Sequence, residues 1–412
     1  MTTTPPHHLP PDADFSLRRI AVPAFGPSAL ASVGMGAVTP VIALSARSLG
    51  ATVGVAALVV AVSSLAELAV ALPAGSLVAR VGERRAMLLA GSVDVLASLL
   101  AMAAPRLWVF LVALAVLGAT QAVFLLARQA YLTDAAPMHL RARAMSTLGG
   151  VHRVGLFVGP FVGAPLIAAF GPKAAYAVAA VASLLTVLLV ARTLDMTAEH
   201  EQASAQRDRV PVLSVVRAHR RVLLTVGIGV LVVGIARATR VAVVPLWAES
   251  IGLTPAQTSL VFGIAGGIEM LLFYPAGSVM DRYGRVWVAV PTVVVLGLGT
   301  LVLPMTTTIL GVAAVSVGMA IGNGMGSGIV MTLGADAAPV AGRAQFLGAW
   351  RLLSLIGVNG GPLLVSLIAT LAGLATACVA VGALTVLGGI WLARWIPAYD
   401  PRRQGATGHG AA

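Results

Sequence analysis

Pro275-Ala276-Gly277-Ser278-Val279-Met280-Asp281-Arg282-Tyr283-Gly284-Arg285 stands 202 residues after Pro73-Ala74-Gly75-Ser76-Leu77-Val78-Ala79-Arg80-Val81-Gly82-Glu83, and the correspondence runs well beyond both stretches. At that same offset Arg18-Arg19 matches Arg220-Arg221, Gly50 matches Gly252 and Glu67 matches Glu269. Further along, Asp134-Ala135-Ala136-Pro137 matches Asp336-Ala337-Ala338-Pro339, Arg141 matches Arg343, and Gly155, Gly159 and Pro160 match Gly357, Gly361 and Pro362. A gapless register held at Gly, Pro and charged positions marks an internal duplication, because those residues fix turns and pairings while Ala and Val do not.

The solvent of this duplicated unit is not water. Of 412 residues 58% are hydrophobic and 10% charged, with a mean hydropathy of +0.94, where a soluble domain has about 25% charged residues. Candidate spans fall at 20–46, 52–79, 86–104, 107–132, 144–170, 174–192, 222–247, 254–280, 286–304, 308–334, 344–371 and 373–396, each long enough to cross a bilayer. The reading is an all-α integral membrane protein of two six-helix repeats: a tail at 1–17, halves at 18–192 and 220–396, a polar linker at 193–219 and a tail at 397–412. The polar, proline-rich start has no signal-peptide pattern, so the first apolar run is expected to stay as a span.

Of the 27 Lys and Arg residues, nineteen lie in the tails, the linker and one set of loops, three (Arg47, Arg106, Lys173) in the opposite loops and five within spans. Positive residues stay inside, which puts both termini and the linker in the cytoplasm and accounts for the net charge of +12 without nucleic acid. An even number of spans per repeat relates the halves by an axis along the membrane normal, with a binding site expected at their interface.

Gly75 to Arg85 and Gly277 to Arg285 resemble the signature loop G-x-x-x-D-R-x-G-R of the major facilitator superfamily. The resemblance rests on Gly75, Arg80 and Gly82 in the first copy and Gly277, Asp281, Arg282, Gly284 and Arg285 in the second, and implies cytoplasmic latches that form in one state and break in another. The first copy departs from the pattern, with Ala79 at the aspartate position and Glu83 at a usually basic one. Gly155-x-x-x-Gly159-Pro160-x-x-Gly163 resembles an element of export-type members, the drug:proton antiporters above all; close helix packing explains it as well.

Ionisable groups within spans are costly and therefore functional candidates. Glu67 and Glu269, repeat partners near mid-membrane, and Asp94 are the proton-coupling candidates: a carboxyl that takes up a proton on one side and releases it on the other couples a gradient to transport. Arg237 and Arg240, one helical turn apart, Gln121 and its repeat partner Asn323, and Met35 are candidates for the substrate cavity, the two arginines alternatively for a salt bridge with Glu269, Glu67 or Glu249 and the two amides for a hydrogen bond between helices. Arg128, Arg153 and Arg351 are candidates for intramembrane ion pairs, the first two with Asp94; His152 is a lesser candidate for titration. There is no G-x-x-x-x-G-K-[ST], H-E-x-x-H or C-x-x-C pattern, and the lone Cys378 sits in an apolar run, so the sequence implies neither ATP, nor metal, nor any other cofactor, and no enzyme. The expected function is proton-coupled export of a small organic molecule by alternating access, with uptake of a small anionic solute as the alternative. The expected setting is a bacterial plasma membrane, and the expected state a monomer.

Overall fold

In a computed structural model, residues 21–135, 141–193, 212–339 and 343–399 are described. The tail at 1–17, most of the linker and most of the terminal tail lie outside these residues; within the linker, Val212–Ala218 is a short helix. Among the described residues twelve helices are long and apolar enough to cross a membrane: Phe25–Ser48, Val53–Ala71, Glu83–Ala103, Leu107–Leu132, Thr147–Phe170, Pro172–Thr193, Arg220–Ser250, Pro255–Phe273, Val286–Met305, Ile309–Ala337, Gln345–Ala372 and Leu374–Tyr399. They are the first to twelfth spans below, and the chain is a multi-pass membrane protein.

The 202-residue register is written into the turns. Thr52 and Thr254 both cap the helix that follows, each hydroxyl accepting a backbone N–H at 3.3 Å, from Val55 and Gln257 respectively. Six glycines with positive φ come as three repeat pairs: Gly50 and Gly252, Gly82 and Gly284, Gly171 and Gly373. Each reverses the chain between consecutive helices, where a side chain would be strained. The seventh, Gly328 (φ +88°), has no partner, since Leu126 stands at its counterpart. It marks a break in the tenth span, where Ile309–Met325 gives way to Ile329–Ala337 across a turn at residues 326–328. The fourth span, its counterpart, lies in one unbroken helix, Leu107–Ala135. Four glycines in seven positions, Gly322, Gly324, Gly326 and Gly328, explain why only the second copy breaks.

Glycines also set how closely helices cross. A Cβ at Gly159 would lie 2.6 Å from the Ala37 backbone nitrogen, and one at Gly361 2.7 Å from the Ile235 carbonyl oxygen. The fifth span thus lies directly on the first and the eleventh on the seventh, the same crossing made twice.

The apolar cores are distributed unevenly. At the end carrying Arg47, Arg106 and Lys173, one buried cluster runs across both halves, from Val41, Leu44 and Phe110 to Val243, Leu246 and Val381. At the arginine-rich end the clusters stay within halves: Val288, Leu333 and Trp350 in one, Met87, Val123 and Phe124 in the other. Among the described residues, a shared apolar core therefore joins the halves at the arginine-poor end.

Candidate transport cavity

Below the welded end lies a cavity of about 310 Å³ between the halves. The first, second, fourth and sixth spans give most of its wall; the seventh contributes Ala238 and Val241 and the eleventh Val358 and Pro362. Most of the wall is aliphatic, including Met35, Val60 and Leu117, and its polar groups are Thr39, Ser63, Ser64, Gln121, Ser183 and two carboxylates, Glu67 and Asp94. Among the described residues no Arg, Lys or His lines it.

The two acids are held differently. Glu67 makes no hydrogen bond or ion pair with any described residue, and Arg351, across the interface on the eleventh span, is its charged neighbour. Asp94 is set back in the wall, with Thr120 Oγ1 2.7 Å from Oδ1 and Ser183 Oγ 2.5 Å from Oδ2. Nearby, Ser64 Oγ meets Asn359 Oδ1 at 2.8 Å, bringing together the second and eleventh spans.

The arginines of the seventh span turn away from this cavity. Arg240 forms an ion pair with Glu269, whose other oxygen accepts from Asn323 Nδ2 at 2.8 Å. Arg237 donates to the Gly326 carbonyl at 2.7 Å, which also accepts the Ile329 N–H at 3.1 Å in the turn where the tenth span breaks. Arg153 reaches over from the fifth span, donating to Ser327 Oγ at 3.0 Å with its guanidinium 4.1 Å from the Phe273 ring centre. So Arg237, Arg240 and Asn323 form the lining of a separate charge cluster rather than of the cavity, because the face of the seventh span that meets the cavity belongs to Ala238 and Val241.

The expected pairing of Asp94 with Arg128 or Arg153 is likewise replaced. Asp94 has hydroxyl neighbours; Arg128 is buried with its guanidinium 5.9 Å from the Phe124 ring, one turn back on its own helix, and Arg351 is exposed. His152 Nδ1 lies 2.6 Å from Ser32 Oγ. In the signature loops Gly82 and Gly284 end their helices with positive φ, while a Cβ on Gly75 or Gly277 would meet nothing within 4 Å. Arg285 pairs with Asp336 of the same half at 2.9 Å, Arg282 lies 5.5 Å from the Tyr283 ring, and Arg80 is exposed. The side chain of Asp281 lies outside the described residues. The packing motif of Gly155, Gly159 and Pro160, with Gly357, Gly361 and Pro362, forms the two inter-helix crossings described above.

Two pseudo-equivalent six-helix halves around a central cavity sealed at one end define a secondary transporter. The family model of the Major Facilitator Superfamily matches residues 27–236 and 226–411, and the chain belongs to that family. Among solved structures it is similar to a POT family transporter in complex with a thioalcohol-conjugated peptide, at a TM-score of 0.74 and 13% identity over 93% of this chain and 96% of that one. A POT family transporter in complex with 5-aminolevulinic acid gives 0.73 at 11% identity, with the same shares of the two chains covered. A D-xylose-proton symporter gives 0.66 at 14% identity, covering 92% of this chain and 97% of that one. No curated protein matches the sequence.

Proposed function

We propose that the chain is a proton-coupled exporter of small, mainly apolar organic molecules, neutral or cationic, acting as a monomer in a bacterial plasma membrane. The carrying observation is the cavity wall, which has two carboxylates and no basic side chain among the described residues. An anion brought there would be desolvated beside Glu67 and Asp94 with no basic side chain among the described wall residues, Arg351 standing outside the wall as the neighbour of Glu67, whereas a cation or a neutral apolar molecule would meet no such cost. The alternative of an anionic substrate loses its support once Arg237 and Arg240 are engaged with Gly326 and Glu269.

The charge bias of the loops supports cytoplasmic termini, which makes the welded end the outer one and the present state closed to the outside. Glu67, partnerless at the cavity, is our assignment for the group at which proton and substrate compete. Asp281, Arg282 and Arg285, with Arg80, are assigned to cytoplasmic contacts that change as the halves rock. Export is favoured by the resemblance of the Gly155–Gly163 element.

The test is a susceptibility panel of cationic, neutral and anionic antibiotics in an efflux-deficient bacterial host. Raised tolerance to cationic or neutral compounds, lost in Glu67→Gln at equal expression, is the expected result. Heightened sensitivity would mean uptake, and protection against anionic compounds alone would overturn the substrate class.

A further inference from the structure

We infer that Asp94 is itself a proton site, holding a proton in the state with the halves welded at the arginine-poor end, and that its proton is one of those exchanged in the transport cycle. Hydrogen-bond direction and the surrounding charge together point there. Thr120 Oγ1 lies 2.7 Å from Asp94 Oδ1 and 2.9 Å from the Leu117 carbonyl oxygen. A carbonyl only accepts and a hydroxyl has one hydrogen to give. With Thr120 donating to Leu117, its oxygen accepts from a protonated Asp94; with Asp94 ionised, Thr120 turns its hydrogen to Oδ1 and the Leu117 carbonyl keeps its helical partner, so the charge around Asp94 decides between the two. In the protonated form Ser183 Oγ, 2.5 Å from Oδ2, is the donor to the carbonyl oxygen of the acid. With a proton on Oδ1 both contacts are complete and the wall carries no unpaired charge at Asp94.

The surroundings agree. The titratable groups described on the helices packed around Asp94 are Glu67 in the second span, Arg128 and Tyr131 in the fourth and Tyr176 in the sixth; Asp134 is in the last turn of the fourth-span helix, and its side chain lies outside the described residues. The remaining arginines, Glu83 and Lys173 stand towards the membrane ends. None of them makes an ion pair with it among the described residues. Arg128 is two helical turns from Thr120, about 12 Å of rise. An ionised Asp94 would thus stand half-buried in an apolar wall with no cation paired to it among the described residues, which disfavours the charged form.

The proton also has a way out. A side pocket of about 20 Å³, lined by Asp94, Thr120, Gln121, Ser183 and Thr186 among others, is large enough for one water. Asp94, Gln121 and Ser183 also line the main cavity, so the pocket adjoins it. When the O–H bond of Asp94 breaks, the proton passes to water in that pocket and the carboxylate keeps the electron pair, stabilised by the hydroxyls of Ser183 and, after rotation, Thr120. Leu296 occupies the equivalent position in the second half, so the site belongs to the first half alone.

This inference rests on the proton-coupled reading above, and two measurements separate their failures. Asp94→Asn is the decisive variant, because an amide gives to Thr120 and accepts from Ser183 as the protonated acid does. In infrared spectra of the purified full chain at neutral pH, the C=O band of a protonated carboxyl is expected in the wild type, retained in Glu67→Gln and lost when Asp94→Asn is added to that variant. A band of Glu67→Gln that survives the further change Asp94→Asn, or no band in the wild type, would overturn the assignment. In proteoliposomes, Asp94→Asn is expected to lose gradient-driven accumulation while keeping substrate exchange; a purely structural aspartate would leave both intact in this variant. Substrate-driven proton movement absent from the wild type would instead sink proton coupling as a whole, whatever the infrared result. Equal proton movement in wild type and Asp94→Asn would remove Asp94 alone.

Discussion

Glu269 and Glu67 occupy one position of the repeat and have opposite surroundings, which shows how far a single side chain depends on its neighbours. Glu269 has Arg240 and Asn323 as partners; at the counterparts of those partners the first half has Val38 and Gln121, and Glu67 is left open to the cavity. Breaking a buried pair by removing one member costs about 3 to 5 kcal/mol, because the survivor is left charged and unpaired. Arg240→Met and Glu269→Gln are each expected to lower the thermal unfolding temperature in detergent, and the double variant to lose less than the sum. Strict additivity would show that the two do not act as a pair. The residue types at these positions were legible in the sequence, but their directions were not. The seventh span is apolar on nearly all sides, so nothing in its pattern says whether Arg237 or Ala238 faces the cavity. The same limit put Asp94 with arginines, when the short hydroxyls of Thr120 and Ser183, lacking charge, were its neighbours.

Helices were the most legible level, since a run of apolar residues fixes a span whichever way its side chains point. The break in the tenth span is the element the reading at 308–334 passed over, though Gly322-Asn323-Gly324-Met325-Gly326-Ser327-Gly328 carried the signal: glycines at alternate positions weaken a helix, and apolarity averages hide it. The glycines of the crossing helices allow a paired test. At Gly361 an added methyl would strike the Ile235 carbonyl, whereas at Gly75 it would meet open space. Gly361→Ala is expected to cost about 1 to 3 kcal/mol, as overpacking does, and to reduce the folded fraction on size-exclusion chromatography. Gly75→Ala, in a residue that also belongs to the signature loop, should leave folding unchanged. Equal effects of the two would mean that steric fit is not what the eleventh-span glycine provides.

At the scale of the whole molecule, the duplication does more than set the register of helices, because it also identifies the axis. Arg47 and Glu249 are 202 residues apart, hence repeat partners, and they form an ion pair at 3.0 Å. A two-fold rotation carries each onto the other's place, so two such residues can touch only near the axis itself. Arg47 is fixed further by donating to the Ala51 carbonyl at 2.6 Å. The pair stands at the welded end, where the shared apolar core joins the halves, and alternating access requires that end to part. Each side chain is about one-third exposed, at 33% and 35%, so the pair is worth at most about 1 kcal/mol. That suits a contact that must open in every cycle, and a shift of that size changes the ratio of the two states by roughly fivefold. Arg47→Glu sets two glutamates against each other and is expected to favour opening at that end; adding Glu249→Arg should restore the pairing with its polarity reversed. Cysteines placed on either side of the cavity can report this through labelling by a membrane-impermeant thiol reagent, since the single native Cys378 is fully buried. If the single and double variants label from the outside at the wild-type rate, the apolar weld alone holds the end closed, and the charge pair on the axis is incidental to the rocking of the halves.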